Sequence, residues 1–116
     1  KYNGILVADD DEEVVESLKE ELMPYCRVDT ATTGLEVLQL FAKHTYSGLI
    51  IDVRFERGVS GLEVAAMLRA KHKELKIIVF SATDYSNAIR QKAVDIGGSF
   101  SEKPLILLFV RRVMEV

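Results

Sequence analysis

Five short apolar runs alternate with five amphipathic stretches, and this alternation narrows the folds open to the chain more than any other feature. The strand-length runs are Ile5–Ala8, Cys26–Thr30, Leu49–Ile51, Ile77–Phe80 and a weaker one at Ser99–Ser101. Between them, Val14, Leu18 and Leu22 recur at helical spacing before Pro24. Gly34 to Lys43 carries Leu35, Leu38 and Phe41, a third helix carries Leu62, Ala65, Ala66 and Leu68, and a fourth carries Ile89, Ala93 and Ile96. Gly97-Gly98 ends the fourth helix. Leu105 to Val116 reads as a fifth, with Pro104 at its first turn. Strict alternation of strand and helix predicts a parallel sheet covered by helices on both faces. A strand buried on both faces reads as continuously apolar, as "IIVF" does. The expectation is one doubly wound α/β domain over residues 1–116, whose ligands bind at the carboxyl ends of the strands.

The composition permits this and excludes several functions. Hydrophobic residues make up 48% of 116, enough for a core in a chain near the commonest domain size. The net charge of −3 argues against a nucleic-acid surface, which needs a basic stripe. No apolar run reaches the length of a membrane span, and the first residues lack the pattern of a signal peptide. The single cysteine, Cys26, falls in an expected strand, where it reads as a small buried hydrophobe. A cytoplasmic domain is expected.

The predicted strand ends carry the chemistry. Strand one runs into Asp9-Asp10-Asp11, strand three into Asp52, strand four into Ser81 and strand five into Lys103-Pro104. A lone Asp after a strand is usually a turn or cap residue. Several carboxylates, a hydroxyl and an ammonium at one sheet edge carry more information. Crowded carboxylates repel unless something positive sits among them. A hard divalent cation such as Mg²⁺ suits them, because it accepts one or two carboxylates and shares a phosphate. A carboxylate can also act as a nucleophile and form an aspartyl phosphate. Glu12 and Glu13 read as first-turn helix residues favoured by the dipole.

In order along the chain, "ILVADDDEEV", "ATTGLEVL", "LIIDVRFERGVSGLEV", "IIVFSAT" and "GGSFSEKP" resemble the receiver domain of the two-component response-regulator family. The resemblance spans essentially the whole chain. It implies a flavodoxin-like (βα)5 fold with strand order 2-1-3-4-5. It implies that Asp52 is the phosphoacceptor and that Mg²⁺ is held by Asp52, by Asp10 directly, by Asp9 through water and by the Arg54 carbonyl. Ser81 and Lys103 take the hydroxyl and phosphate-pairing roles, Phe100 the switching aromatic, and Arg54 and Thr83 the rate-tuning positions. It implies a partner histidine kinase or histidine phosphotransfer protein, and a homodimer through the face of the fourth helix, fifth strand and fifth helix. The output domain is expected outside this chain. An alternative is a pseudo-receiver that serves as an interaction module without phosphorylation.

Some positions depart from the pattern or carry two readings. The loop after Asp52, "RFERGVSG", has one extra residue and no proline, while Gly58 permits a tight turn. Arg54 either reaches the phosphate pocket or is a solvated surface arginine. Phe100 cannot donate a hydrogen bond, so it switches by packing or is plain core. His44 and His72 lack ligand-spaced partners and read as solvated imidazoles at helix ends. In the last helix, Leu107, Val110 and Met114 form a docking stripe. Ile106, Phe109 and Val113 form a second stripe about 100° further round. Ile106 and Phe109 therefore either meet a partner or lie in a helix buried more than usual. A haloacid dehalogenase-type phosphatase would want an acid where Arg54 stands, and a flavin carrier a hydroxyl-rich loop where the acids stand.

Overall fold

The computed structural model describes residues 4–55, 58–82, 86–104 and 107–116. Its elements are β1 (Ile5–Ala8), α1 (Glu12–Leu22), β2 (Val28–Ala31), α2 (Gly34–Lys43), β3 (Gly48–Asp52), α3 (Gly61–Lys71), β4 (Lys76–Ser81), α4 (Asn87–Asp95), β5 (Ser99–Glu102) and α5 (Leu107–Met114). The five strands form one sheet in the order β2-β1-β3-β4-β5, every pair parallel. This is the flavodoxin-like order, in which each crossover between parallel strands is a helix.

Alternation of side chains along each strand divides the interior in two. Leu6, Ala8, Leu49, Ile51, Ile77 and Val79 pack with Val37 and Phe41 of α2, Leu62, Ala65 and Leu68 of α3, and Ala93 of α4. Ile5, Val7, Val28, Ile50, Ile78 and Phe80 pack with Val15, Leu18 and Leu22 of α1 and Val110 and Met114 of α5. Helix starts follow from local capping. Asp11, Thr33, Ser60 and Ser86 each accept a hydrogen bond from a backbone N–H in the first turn of α1, α2, α3 and α4.

Several expectations are corrected. Cys26 precedes β2: the end of α1 continues into a turn in which the Tyr25 and Cys26 N–H groups both donate to the Leu22 carbonyl. That turn uses up the residues expected to open the strand. On α2, Leu35 and Leu38 are exposed, and Val37 with Phe41 faces the core. In α1, Val15 is buried and Val14 only half-buried; in α3, Val64 takes the buried place expected of Ala66. A stripe at helical spacing can sit one residue either side of the face that docks, and the sheet chooses between them. His72, half-buried, stands 5.2 Å from the Phe41 ring, so it is not a freely solvated imidazole. In α5, Val110 and Met114 are buried, whereas Leu107, Phe109 and Val113 are half-buried. Ile106 lies outside the described residues, as does Thr83.

Candidate functional site

The carboxyl edge of the sheet gathers the charged residues. The Asp9 N–H still donates to the Ala31 carbonyl, 3.1 Å away, so Asp9 is held in line with β1. Asp10 lies one residue beyond and is exposed. Asp52 is the last residue of β3, opposite Phe80 of β4, and Ser81 ends β4 one step further. Lys103 follows β5, and its N–H donates to the Ser81 carbonyl at 2.9 Å, which ties the two strand ends together. Asp9, Asp52 and Ser81 are buried, with 1%, 6% and 1% of their surfaces exposed.

Carboxylate oxygens of Asp9, Asp10 and Asp52 all lie within 4.8 Å of one another. The Lys103 ammonium bridges two of them, donating to Asp9 Oδ2 at 2.8 Å and Asp52 Oδ2 at 3.0 Å. The same ammonium lies 4.7 Å from the centre of the Phe80 ring. A cation over an aromatic face is stabilised by the ring quadrupole, more so when water is excluded. The other oxygens are oriented by backbone: Asp9 Oδ1 accepts from the Asp11 N–H and Asp52 Oδ1 from the Arg54 N–H, each at 3.1 Å.

Charge crowding shows in the titration of these groups. Burial pushes the Asp52 carboxyl above its ordinary range, and the negative charge of Asp9 adds to that; the Lys103 hydrogen bond opposes both without cancelling them. Asp10 is raised too, by partial desolvation and by its hydrogen bond with, and repulsion from, Asp9. Burial alone would weaken the Lys103 ammonium, but its hydrogen bonds to Asp9 and Asp52 outweigh this and hold its pKa above the usual lysine value. The three clustered carboxylates form a donor set suited to a hard divalent cation.

The β3–α3 connection is shaped by close approach. A Cβ on Gly61 would sit 1.8 Å from the Asp52 carbonyl oxygen, so only glycine lets α3 begin against the end of β3. The Gly61 N–H donates to the Val53 carbonyl at 2.8 Å. Gly58 adopts φ +76°, the left-handed conformation that glycine permits, in a loop without proline. Arg54 is exposed and lines a cleft of about 620 Å³ with Asp10, Gly58 and Glu63. Its backbone N–H makes the described contact to Asp52.

Phe100 lies on β5 opposite Val79, half-buried against the cluster beneath α2, α3 and α4. The Arg90 guanidinium of α4 covers its ring at 4.7 Å and pairs with Glu102 at 3.0 Å. Phe109 is half-buried and borders the shallow cavity beside Phe100 and Pro104, whereas Leu108 is 65% exposed. Asp9, Asp10, Asp52, Ser81 and Lys103, singled out from the sequence, thus lie at one edge. Phe80 was missed, although its place beside Ser81 at a strand end was a signal. Gly61 was missed as well, and nothing in its local sequence announces the clash it avoids.

A five-stranded parallel α/β fold with an acidic cluster and a lysine at its carboxyl edge defines a class, and sequence comparison names it. Residues 5–104 match the family described as the response regulator receiver domain, so the chain belongs to that family. It is 37% identical over 105 residues to the response regulator MprA of a Mycobacterium species (strain KMS), a match covering 89% of this chain and 45% of that protein. The chain thus spans less than half the length of the curated relatives it matches. It is 32% identical to the crystal structure of response regulator TrrA from Thermotoga maritima in complex with Mg(2+)-BeF, with a TM-score of 0.81 over 97% of this chain and 96% of that one. A CheY-like receiver domain protein from Methanospirillum hungatei shares the fold at a TM-score of 0.87 and 19% identity, covering 99% of this chain and 92% of that one. Among the described residues, no helix is long and apolar enough to cross a membrane.

Proposed function

We propose that residues 1–116 form one receiver domain that accepts a phosphoryl group on Asp52 from a phosphohistidine of a partner histidine kinase or phosphotransfer protein. The observation that carries this reading is the Lys103 ammonium spanning Asp9 and Asp52, with the Asp10 carboxylate beside them. The Asp52 carboxylate attacks phosphorus, a P–O bond forms as the P–N bond breaks, and the imidazole leaves with the bond's electron pair. Phosphoryl transfer asks the protein mainly for positioning and charge neutralisation. The Arg54 N–H and the Lys103 ammonium fix the two Asp52 oxygens. Lys103 supplies positive charge to the incoming phosphoryl oxygens, and the Ser81 hydroxyl donates to one of them. A magnesium ion held by Asp9, Asp10, Asp52 and the Arg54 carbonyl supplies, when bound, the rest of the charge that offsets repulsion between carboxylates and phosphate. The TrrA structure with Mg(2+)-BeF, from a 32% identical relative, supports this assignment.

The signal then passes from Ser81 and Phe100 to the α4–β5–α5 face, where Phe109 lies, and controls a second copy or an output domain. Arg54 and Thr83 tune the rates of phosphoryl gain and loss. The domain catalyses its own transfer and hydrolysis and is not a turnover enzyme. The test is labelling with acetyl phosphate and Mg²⁺. One acid-stable, base-labile phosphoryl group is expected on the wild type, and none on Asp52→Asn. Full labelling of that variant would remove Asp52 from its role, and full labelling in excess chelator would remove the metal.

A further inference from the structure

The C-terminal ends of α3 and α4 meet on one side chain. Arg69 lies in the last turn of α3 and is half-buried. Its Nε donates to the Ile96 carbonyl at 2.7 Å and its Nη2 to the Gly97 carbonyl at 3.3 Å. Its Nη1 donates to the carbonyls of His72 at 3.2 Å and Lys73 at 2.8 Å. Ile96 is the C-cap of α4, and Gly97 reverses the chain there with φ +73°. Carbonyls at a helix C-terminus lack intrahelical donors and carry the negative end of the dipole. A planar guanidinium presents donors in several directions, so one side chain satisfies both helix ends.

The N-terminal half of α4 is held differently. Ile89 there is half-buried, and the buried residue of the helix, Ala93, lies toward the C-terminal end. Arg90 covers the Phe100 ring at 4.7 Å and reaches Glu102 through an ion pair whose side chains are 44% and 54% exposed. Water and salt weaken such a pair. The C-terminal end of the helix is therefore fastened by half-buried, charge-assisted hydrogen bonds to one side chain, and the other end by the packing of Ile89, the Arg90–Phe100 contact and an exposed ion pair.

We infer that Arg69 is a pin: a positioning residue that fastens the C-terminal end of α4 to α3. The end of α4 near Glu102 and the carboxyl edge of the sheet is then the end that swings. Use of that swing as the response to phosphorylation rests on the role proposed for Asp52; the pin itself does not. Arg69 lies at the opposite edge of the sheet from the acidic site.

The experiment is residue-resolved amide hydrogen exchange without any phosphodonor, on wild type, Arg69→Ala and Arg69→Lys. In the wild type, the amides of Ile96, Gly97 and Gly98 should exchange roughly tenfold more slowly than those of Arg90 and Gln91. Arg69→Ala should erase this gradient while β1 and β3 keep their protection. Arg69→Lys keeps the charge but loses the fork, and should flatten the gradient in part with the sheet intact. This keeps the question open to test if the alanine variant does not fold. An unchanged gradient in either variant would overturn the pin, as would an even loss of protection through the sheet. Asp52 labelling by acetyl phosphate should be unchanged in Arg69→Lys. If the wild type itself fails to label, the phosphoacceptor role falls and the exchange result still decides the pin.

Discussion

The Lys103 ammonium lies 3.0 Å from Asp52 Oδ2, joining residues that are 51 positions apart in sequence. The same ammonium holds Asp9, so removing it leaves two buried carboxylates without their cation. Lys103→Ala should cost about 3 kcal/mol at neutral pH in chelator, the usual scale for an orphaned buried charge. Urea unfolding measures this, and a loss under about 0.5 kcal/mol, the range of ordinary surface changes, would contradict it. The variant should still accept some phosphate yet respond poorly to it.

Crowding of the acids gives a pH dependence with a definite sign. Asp10 and Asp52 have raised pKa values in the folded protein. A folded-state pKa above the unfolded one means that the folded form holds its proton longer. Its stabilising contribution is complete below the unfolded value, near about 3.9 for Asp, and is lost as pH rises through the folded value. Asp10→Asn should therefore melt higher than metal-free wild type at neutral pH, and the gap should close below about pH 4. Mg²⁺ should reverse the order by stabilising the wild type, by about 2.7 kcal/mol at a hundredfold excess over Kd. A gap that does not vary with pH, or a wild-type melt indifferent to Mg²⁺, would count against the crowded site.

Gly61 is a steric requirement of the site. Its missing Cβ would overlap the Asp52 carbonyl at 1.8 Å, and that neighbour is backbone. Gly61→Ala should cost at least about 1–3 kcal/mol, as overpacking does. It should also weaken Mg²⁺ binding, because the strand end carrying Asp52 must shift. A normal melt and normal metal affinity would show that the α3 start moves freely.

Two residues of α5 separate contact from core. Leu108 is 65% exposed, whereas Phe109 is half-buried against the cluster beneath α1 and α5. Leu108→Glu should leave the melt within about 0.5 kcal/mol. If the α4–β5–α5 face pairs two copies, it should also weaken self-association in sedimentation. Phe109→Lys should lower both the melt and association. An unaffected melt for Phe109→Lys would mean that its ring contributes nothing to its own domain.

Much of the molecule was written in local pattern. The alternation of apolar runs with amphipathic stretches determined the parallel α/β class, because a helical crossover suits parallel neighbours. It also brought Asp9, Asp10, Asp52, Ser81 and Lys103 to one edge, because parallel strands all end on the same side. Gly58 acted as a short-range signal, since a glycine at positive φ works on backbone within a few residues. Packing decided the rest. Of the stripe expected on α2, Leu35, Leu38 and Phe41, only Phe41 faces inward, joined by Val37, because the inward face depends on where the sheet lies. That Lys103 pairs with Asp9 and Asp52 over the Phe80 ring needs four strand ends at fixed spacing. That Arg69 closes the end of α4 as well as its own helix joins residues 27 and 28 positions apart. Helical and strand periodicities reach only a few residues along the chain, whereas these contacts exist only once the sheet has set the elements side by side.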